Sequence, residues 1–421
     1  MTTTPIQLVG DSAADDRACL LCGSADISVV VSLHPTPPAN GLAATAEAAK
    51  AQLRYPLDLV HCRGCGLVQL ADIVDRSELF SDYRYATGAM PPLVRHFGEL
   101  AGQVISRSDL PPGSRVTEIG SNDGTLLGFF AESGMMVHGV DPAQTLAAEA
   151  NERGVPTRVA LFDDRVAEQI VAESGRSDVV VANNVLAHVR DINAVIRGIE
   201  RLLAPGGVAV VEVAHVLPMV TSGAFEFIYH EHVAYYSLHV LRAAFARHGL
   251  TLIDVEQIPT QGGSLRCWAR HSGAAGEPAG TVAEILAWER EADVPCGGFL
   301  DGYATRVRRV GERLNDVVCG LVGQGRTICG YGASARAVTL LGQSRIGPFL
   351  RWIADDNPRK VGLFTPGDGI EVVDRGHLNE GGVDYCVVFA WNYADEIRRN
   401  ASTFLAAGGG LITPFPDLVV T

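Results

Sequence analysis

Twice along this chain a short apolar run is followed by a Gly-containing turn and then a helical pattern. No other feature restricts the fold as much. The first series starts near Asp109 with "SRVTEIG" and then "SNDGTLLGFFAESG", a helix stopped at Gly134. It continues through "MMVHGVDPA", "QTLAAEANERG", "SDVVVANNVLAHV", "INAVIRGIERLLAPGG" and "VAVVEVAH". The second starts near Gly325 and runs through "RTICGYGASARAVTLLG", "FLRWIADDNPRK", "DYCVVFAWNYADEIRR" and "GGGLITPFP". Strand–helix alternation predicts an α/β fold with parallel sheets and ligands at the strands' carboxyl ends. Helical periodicity over 281–325 connects the two series, and 421 residues require more than one core.

Ahead of both series stand "CLLC" (Cys19, Cys22) and "HCRGCG" (Cys62, Cys65), separated by a Pro/Ala-rich insertion, "HPTPPANGLAATAEAAKA". Two Cys-x-x-Cys knuckles supply four thiolates, the set that structural zinc prefers, with no position left open for chemistry. His61 is a competing ligand, and two redox pairs are the other reading. The remaining cysteines (Cys267, Cys296, Cys319, Cys329, Cys386) are scattered, which fits reduced thiols and a cytoplasmic location. The first eighteen residues read as a tail without the pattern of a secretion signal. No apolar run approaches the roughly 20 residues of a membrane span. A net charge of −14 without a basic run disfavours nucleic acid as a partner. It leaves room for an anionic small molecule at a helix N-terminus.

"EIGSNDG" sits where a strand meets a helix. Gly120 and Gly124 let the backbone turn sharply, and Glu118, Asn122 and Asp123 give the loop its polar and acidic character. Asp141 ends the next strand, placed to accept from ribose hydroxyls. The usual three-glycine spacing of dinucleotide sites is missing, and carboxylates would repel a diphosphate. The loop therefore favours the sulfonium-bearing S-adenosylmethionine over NAD. Asn183, Asn184 and His188, after the following strand, face the same ligand or the substrate, unless His188 merely caps a helix.

Between the two series, "FEFIYHEHVAYYS" packs two His, two Glu and three Tyr into an aromatic run. With "CLLC", "CRGCGLVQL", "EIGSNDG", "NNVLAH", "GGSLR", "GYGASAR", "DDNPRKVGLFTPG" and "AWNYADEI" in this order, the chain resembles the sugar C-methyltransferases that act on nucleotide-linked keto-deoxyhexoses. The resemblance runs from about Cys19 to the C-terminus. It implies a zinc-binding lobe over 1–85 and a class I (Rossmann-like) methyltransferase domain over 86–270. Linker helices and a C-terminal Rossmann-like domain would fill 271–421, with the nucleotide sugar bound between the last two domains. By position, Tyr229, Glu231 and His232 fall on the family's Tyr-x-Glu-His signature, and Asn184 and His188 on a second polar pair. Tyr83 or Tyr85 matches an aromatic hydroxyl from the N-terminal region. Arg336 stands where the family often has Lys, and Gln261 where many members have His. His230 stands where relatives often have an acidic residue, and with Gln261 it points to altered substrate contacts.

The reaction so implied begins by removing a proton from carbon beside a ketone, which needs both a base and stabilisation of the enolate. His232 is the expected base. Glu231 orients it or binds a sugar hydroxyl, and Tyr229, Tyr83 or Tyr85 donates to the oxyanion. "GYGASAR" reads as a second phosphate-facing turn, comprising Gly330, Tyr331, Gly332, Ala333, Ser334 and Arg336, with NAD as the rival ligand. Asp355 and Asp356 would accept from ribose or base, and Asn392 lines the same crevice. The "QGGSLR" segment (Gln261, Gly262, Gly263, Ser264) completes the expected sugar site. Methylation of oxygen or nitrogen, or of an acceptor that is not nucleotide-linked, is the alternative. A monomer or small homo-oligomer is expected.

Overall fold

The computed structural model describes residues 18–75, 79, 87–89 and 91–421. Tyr83 and Tyr85, expected to supply an aromatic hydroxyl, lie outside these. Among the described residues, three sheets carry the molecule.

The N-terminal sheet joins β1 (Ile27–Thr36), β2 (Tyr55–Cys62) and β3 (Val68–Leu70) in antiparallel order. Its fourth strand, β9 (Ala234–Tyr235), comes from the aromatic run far along the chain and pairs with β3. The Pro/Ala-rich insertion is structured. It finishes β1 and forms a helix at Ala46–Lys50, capped by the Thr45 hydroxyl, which accepts from the Ala48 amide. Ala43 bridges to Phe364 in the C-terminal part.

The central sheet has seven strands. β4 (Arg115–Ile119), β5 (Met136–Asp141), β6 (Thr157–Val159), β7 (Ser177–Asn183) and β8 (Leu203–Ala214) are mutually parallel. β10 (Leu250–Ile258) and β11 (Ser264–His271) form a hairpin that adds antiparallel to β8. The expected all-parallel sheet is thus mixed. β6 and the helix Asp164–Ser174 are additions to the sequence reading, which passed from the second strand directly to β7. The order is β10-β11-β8-β7-β4-β5-β6, so the direction of winding reverses at β4.

The C-terminal sheet runs β14 (Val372–Asp374), β13 (Leu350–Asp355), β12 (Ile328–Tyr331), β15 (Tyr385–Val388), β16 (Gly410–Thr413) and β17 (Val419–Val420). Its strands are parallel except β17, which follows the expected last strand. Here winding reverses at β12. Such reversals open a crevice beyond the strand ends. Each carries one of the Gly turns read from the sequence.

One hydrophobic core ties the outer parts together. Leu57 and Leu59 from β2, Phe225 and Ile228 from the aromatic run, Tyr303 and Leu314 from the helix Tyr303–Gly323, and Phe389 share a buried cluster. Burying each such side chain contributes about 1.5–3 kcal/mol. Among the described residues, no helix is long and apolar enough to cross a membrane.

Candidate active site

The two winding reversals face one cavity of ≈ 380 Å³, with Asn40 of the N-terminal part on its wall. Its central half is a cradle built by β4, β5 and β7. Gly120 takes φ 68°, and a Cβ there would meet Val185 Cγ2 at 2.6 Å, so only glycine fits. Asn122, at φ 51°, donates its amide N–H to Asp141 Oδ2 at 2.8 Å, while the Ala143 amide donates to Oδ1 at 2.8 Å. These two bonds fix the Asp141 carboxylate at the strand end.

Glu118 is buried, and its Oε2 has no partner among the described residues; burial, then Asp141 and Asp123, holds its pKa well above the usual carboxyl range. Both side-chain polar atoms of Asn183 and the Ser121 hydroxyl are also buried without partners among the described residues. Glu118, Ser121, Asn183 and Asp141 all line the cavity. Unpaired buried acceptors beside clustered carboxylates call for a ligand with cationic and hydroxyl groups. S-adenosylmethionine fits. Leu161 and Phe162, which the sequence reading missed because they sit in the unread loop after β6, add apolar wall. Asp123 and Gly124 are set back from the cavity. Asp123 accepts from the Gly88 amide at 2.8 Å and from the Thr125 hydroxyl, and Gly124 is the N-cap of the helix Thr125–Glu132.

The aromatic run enters at the junction of the two halves. Tyr229, Glu231, His232, Asn184 and His188 all line the cavity. His232 Nδ1 lies 3.1 Å from the Phe227 carbonyl, and its Nε2 lies 2.7 Å from the Tyr229 hydroxyl. A carbonyl only accepts, so Nδ1 carries the hydrogen and Nε2 accepts from Tyr229. Enclosure by protein, with His188 at 4.8 Å between ring centres, pushes His232 well below its ordinary pKa and keeps it neutral.

Glu231 does not orient His232: the Phe227 carbonyl does. Both Glu231 oxygens instead accept from Asn40 Nδ2, at 2.7 and 2.8 Å. Burial raises Glu231 to about 7, partly offset by those bonds. Asn40 went unread because it lies in the supposed insertion. His230 faces away from the cavity, its Nε2 3.4 Å from the Tyr55 carbonyl, with burial lowering it to about 4. It is core packing, so the expectation of substrate contacts there is corrected.

In the C-terminal half, Tyr331, Gly332, Ser334, Arg336, Asp355, Asp356 and Asn392 line the cavity, as does Gln261 across from them. Gly332 takes φ 93°, and a Cβ there would lie 2.9 Å from Ala390 Cβ. The Tyr331 hydroxyl bonds Asp356 at 2.9 Å. Lys360, unassigned from sequence, also lines it and donates to the Ala333 carbonyl at 3.0 Å and to Asp355 at 3.2 Å. Gly262 and Gly263 line a small adjoining space behind His232. Ser264 is turned away, donating to the Thr260 carbonyl at 2.8 Å, and Gly330 packs beneath Phe389.

At the far end of the N-terminal sheet, both knuckles close alike. The Gly23 amide bonds the Cys19 carbonyl at 2.9 Å and the Gly66 amide bonds the Cys62 carbonyl at 2.8 Å, both glycines at positive φ. The four sulfurs lie within 4.8 Å of one another. Tetrahedral Zn–S bonds of about 2.3 Å place sulfurs about 3.8 Å apart, so the set fits zinc. Among the described residues, His61 is outside this group; its ring packs where a Cβ on Gly297 would fall.

Fold and site define a methyltransferase that carries a structural zinc module. Residues 259–416 match the model of the C-methyltransferase C-terminal domain, 93–255 a methyltransferase domain and 19–80 a zinc binding domain. The chain is 36% identical over 400 residues to the C-methyltransferase NovU of Streptomyces niveus, covering 95% of each. It belongs to this C-methyltransferase family. Similarity to ubiquinone biosynthesis O-methyltransferases is partial: 29% over 158 residues in Escherichia coli, 33% of this chain and 65% of that one. In Xanthomonas oryzae pv. oryzae it is 38% over 110 residues, 25% and 44%.

Proposed function

We propose that the protein methylates a nucleotide-linked keto-deoxysugar at a carbon next to its ketone, in cytoplasmic deoxysugar or natural-product biosynthesis. One observation carries this reading. A neutral His232, bonded to the Tyr229 hydroxyl, opens into a cavity shared by a methyl-donor cradle and a second nucleotide-type crevice. A hydroxyl can be methylated with the help of a base alone, whereas a carbon acid needs a base and, separately, a donor for the enolate oxygen.

In this reading the second crevice holds the nucleotide. Lys360 and the turn Gly332–Ser334 meet the diphosphate, and Asp355 and Asp356 accept from ribose. Tyr229 and His232 act as one base: the carbon's proton passes to the Tyr229 oxygen as Tyr229 gives its own to His232 Nε2. Phe227 keeps the ring oriented throughout. Glu231, held by Asn40, is positioned to bond a sugar hydroxyl. When bound, S-adenosylmethionine supplies an electrophilic methyl group for the enolate carbon. Zinc on Cys19, Cys22, Cys62 and Cys65 would hold the knuckles together and take no part in the transfer.

The test is exchange of substrate C–H for solvent deuterium, with S-adenosylhomocysteine bound and a thymidine-diphosphate 4-keto-6-deoxyhexose as substrate. The wild type should exchange beside the ketone and His232→Asn should not. Turnover surviving in His232→Asn, or a product methylated on oxygen, would sink the proposal.

A further inference from the structure

Two full cations line the cavity among the described residues, Lys360 and Arg336, and the structure gives them different neighbours. Lys360 is bound to β12–β13 elements, through the Ala333 carbonyl and Asp355. Arg336 reaches the other way. Its Nη2 donates to Gln261 Oε1, on the turn between the central sheet's hairpin strands, and its Nη1 donates to Asn392 Oδ1 at 2.9 Å. Its guanidinium lies 4.2 Å over the Phe227 ring. The same residue's carbonyl fixes His232. Phe227 therefore sets both groups in one frame: the base by its backbone, the cation by its ring face.

From this juxtaposition we infer that Arg336 is a catalytic residue of the reaction proposed above, its guanidinium donating to the ketone oxygen as the enolate forms. The inference rests on that proposed function and removes Arg336 from the diphosphate clamp, leaving that task to Lys360 and the Gly332–Ser334 turn. In the step, the C–H bond breaks and its electron pair becomes the new C=C bond. The carbonyl π pair moves onto oxygen, and the proton goes to the Tyr229–His232 pair. The charge that appears on oxygen is met by the cation.

The supports of Arg336 suit this task. Gln261 and Asn392 each take one N–H of the five on a guanidinium, so the fork is aimed before substrate arrives while other N–H groups stay available. Gln261 holds φ 56°, a left-handed conformation that non-glycine residues seldom adopt and that often marks functional sites. After burial and His188, the Arg336 charge is a further influence holding His232 below its usual range, which places the two within each other's field.

Exchange measured with S-adenosylhomocysteine and the same thymidine-diphosphate ketosugar, at saturating sugar, separates the roles. Arg336→Gln should slow exchange by about 10²–10³, the usual effect of losing one oxyanion donor. Sugar affinity by calorimetry should change by less than about fivefold. Arg336→Lys, which keeps the charge, should recover part of the rate. The inference is overturned if Arg336→Gln exchanges at the wild-type rate once saturated while its affinity falls, as a phosphate clamp requires. It is equally overturned if both variants lose S-adenosylhomocysteine binding, which would mark a structural role. Absence of exchange in the wild type would instead remove the proposed function, and this inference with it.

Discussion

His232 and Tyr229 depend on each other at the single-residue scale, because the imidazole lone pair is already engaged by the phenol. Tyr229→Phe leaves the Phe227 carbonyl to orient the ring but removes the route by which a proton reaches Nε2. We expect kcat to fall by about 10²–10⁴, within the range of general base catalysis, with KM nearly unchanged in steady-state assays. Glu226 offers a test of a different kind. It is fully buried, with Oε1 accepting from the Trp391 indole at 2.5 Å and Oε2 without a partner among the described residues. Burial raises its pKa from 4.5 to about 7, against relief from Arg336. The folded chain then holds this proton more tightly than the unfolded chain does. Its contribution is therefore least costly below the ordinary carboxyl pKa and worsens as pH rises toward about 7, by on the order of 3 kcal/mol. Thermal melts of Glu226→Gln should match wild type near pH 4 and lie above it at pH 8; equal curves at both would refute the linkage.

At the scale of elements, the cradle and the metal sheet make separate predictions. Gly120→Ala forces a Cβ onto Val185 at a positive φ, so S-adenosylhomocysteine affinity should drop at least tenfold by calorimetry. Removing the metal acts further away. β3 pairs with β9, two residues beyond His232, and Gln69 on β3 binds the Leu20 amide at 2.8 Å inside the first knuckle. Stripping zinc with a chelator should abolish methyl transfer while S-adenosylhomocysteine still binds the central sheet. Simultaneous loss of both would show that the metal supports the whole chain.

These links also mark what the sequence could disclose. The Gly turns after β4 and β12 and the paired cysteines were legible because each rests on local spacing. β6 was not, since "TRV" is a short polar edge strand without alternation. The β10–β11 hairpin hid behind a turn motif whose flanking strands were unread. Asn40, Lys360 and the Phe227 carbonyl escaped because contacts made across the fold leave no periodic trace. His230 misled by standing beside two cavity residues, when a loop with no regular period can turn alternate side chains inward.

For the whole molecule, the central and C-terminal parts share exposed ion pairs as well as the buried core. Arg359 bonds both Glu149 oxygens, at 3.0 and 3.1 Å, and Arg95 approaches Glu396 at 3.8 Å, each pair joining the central and C-terminal sheets' helices and loops. Both are exposed enough for solvent to screen them. Glu149→Gln should cost at most about 1 kcal/mol in a urea titration; a larger loss would show the contact to be part of a rigid interface. The other side of the molecule is joined differently. Because β9 lies in sequence among the catalytic residues yet completes the metal-bearing sheet, a chimera that exchanges only the leading module would leave that sheet a strand short. Transplants should carry 225–237 with the donor's front end, making the catalytic loop and the zinc module one heritable unit despite their separation along the gene.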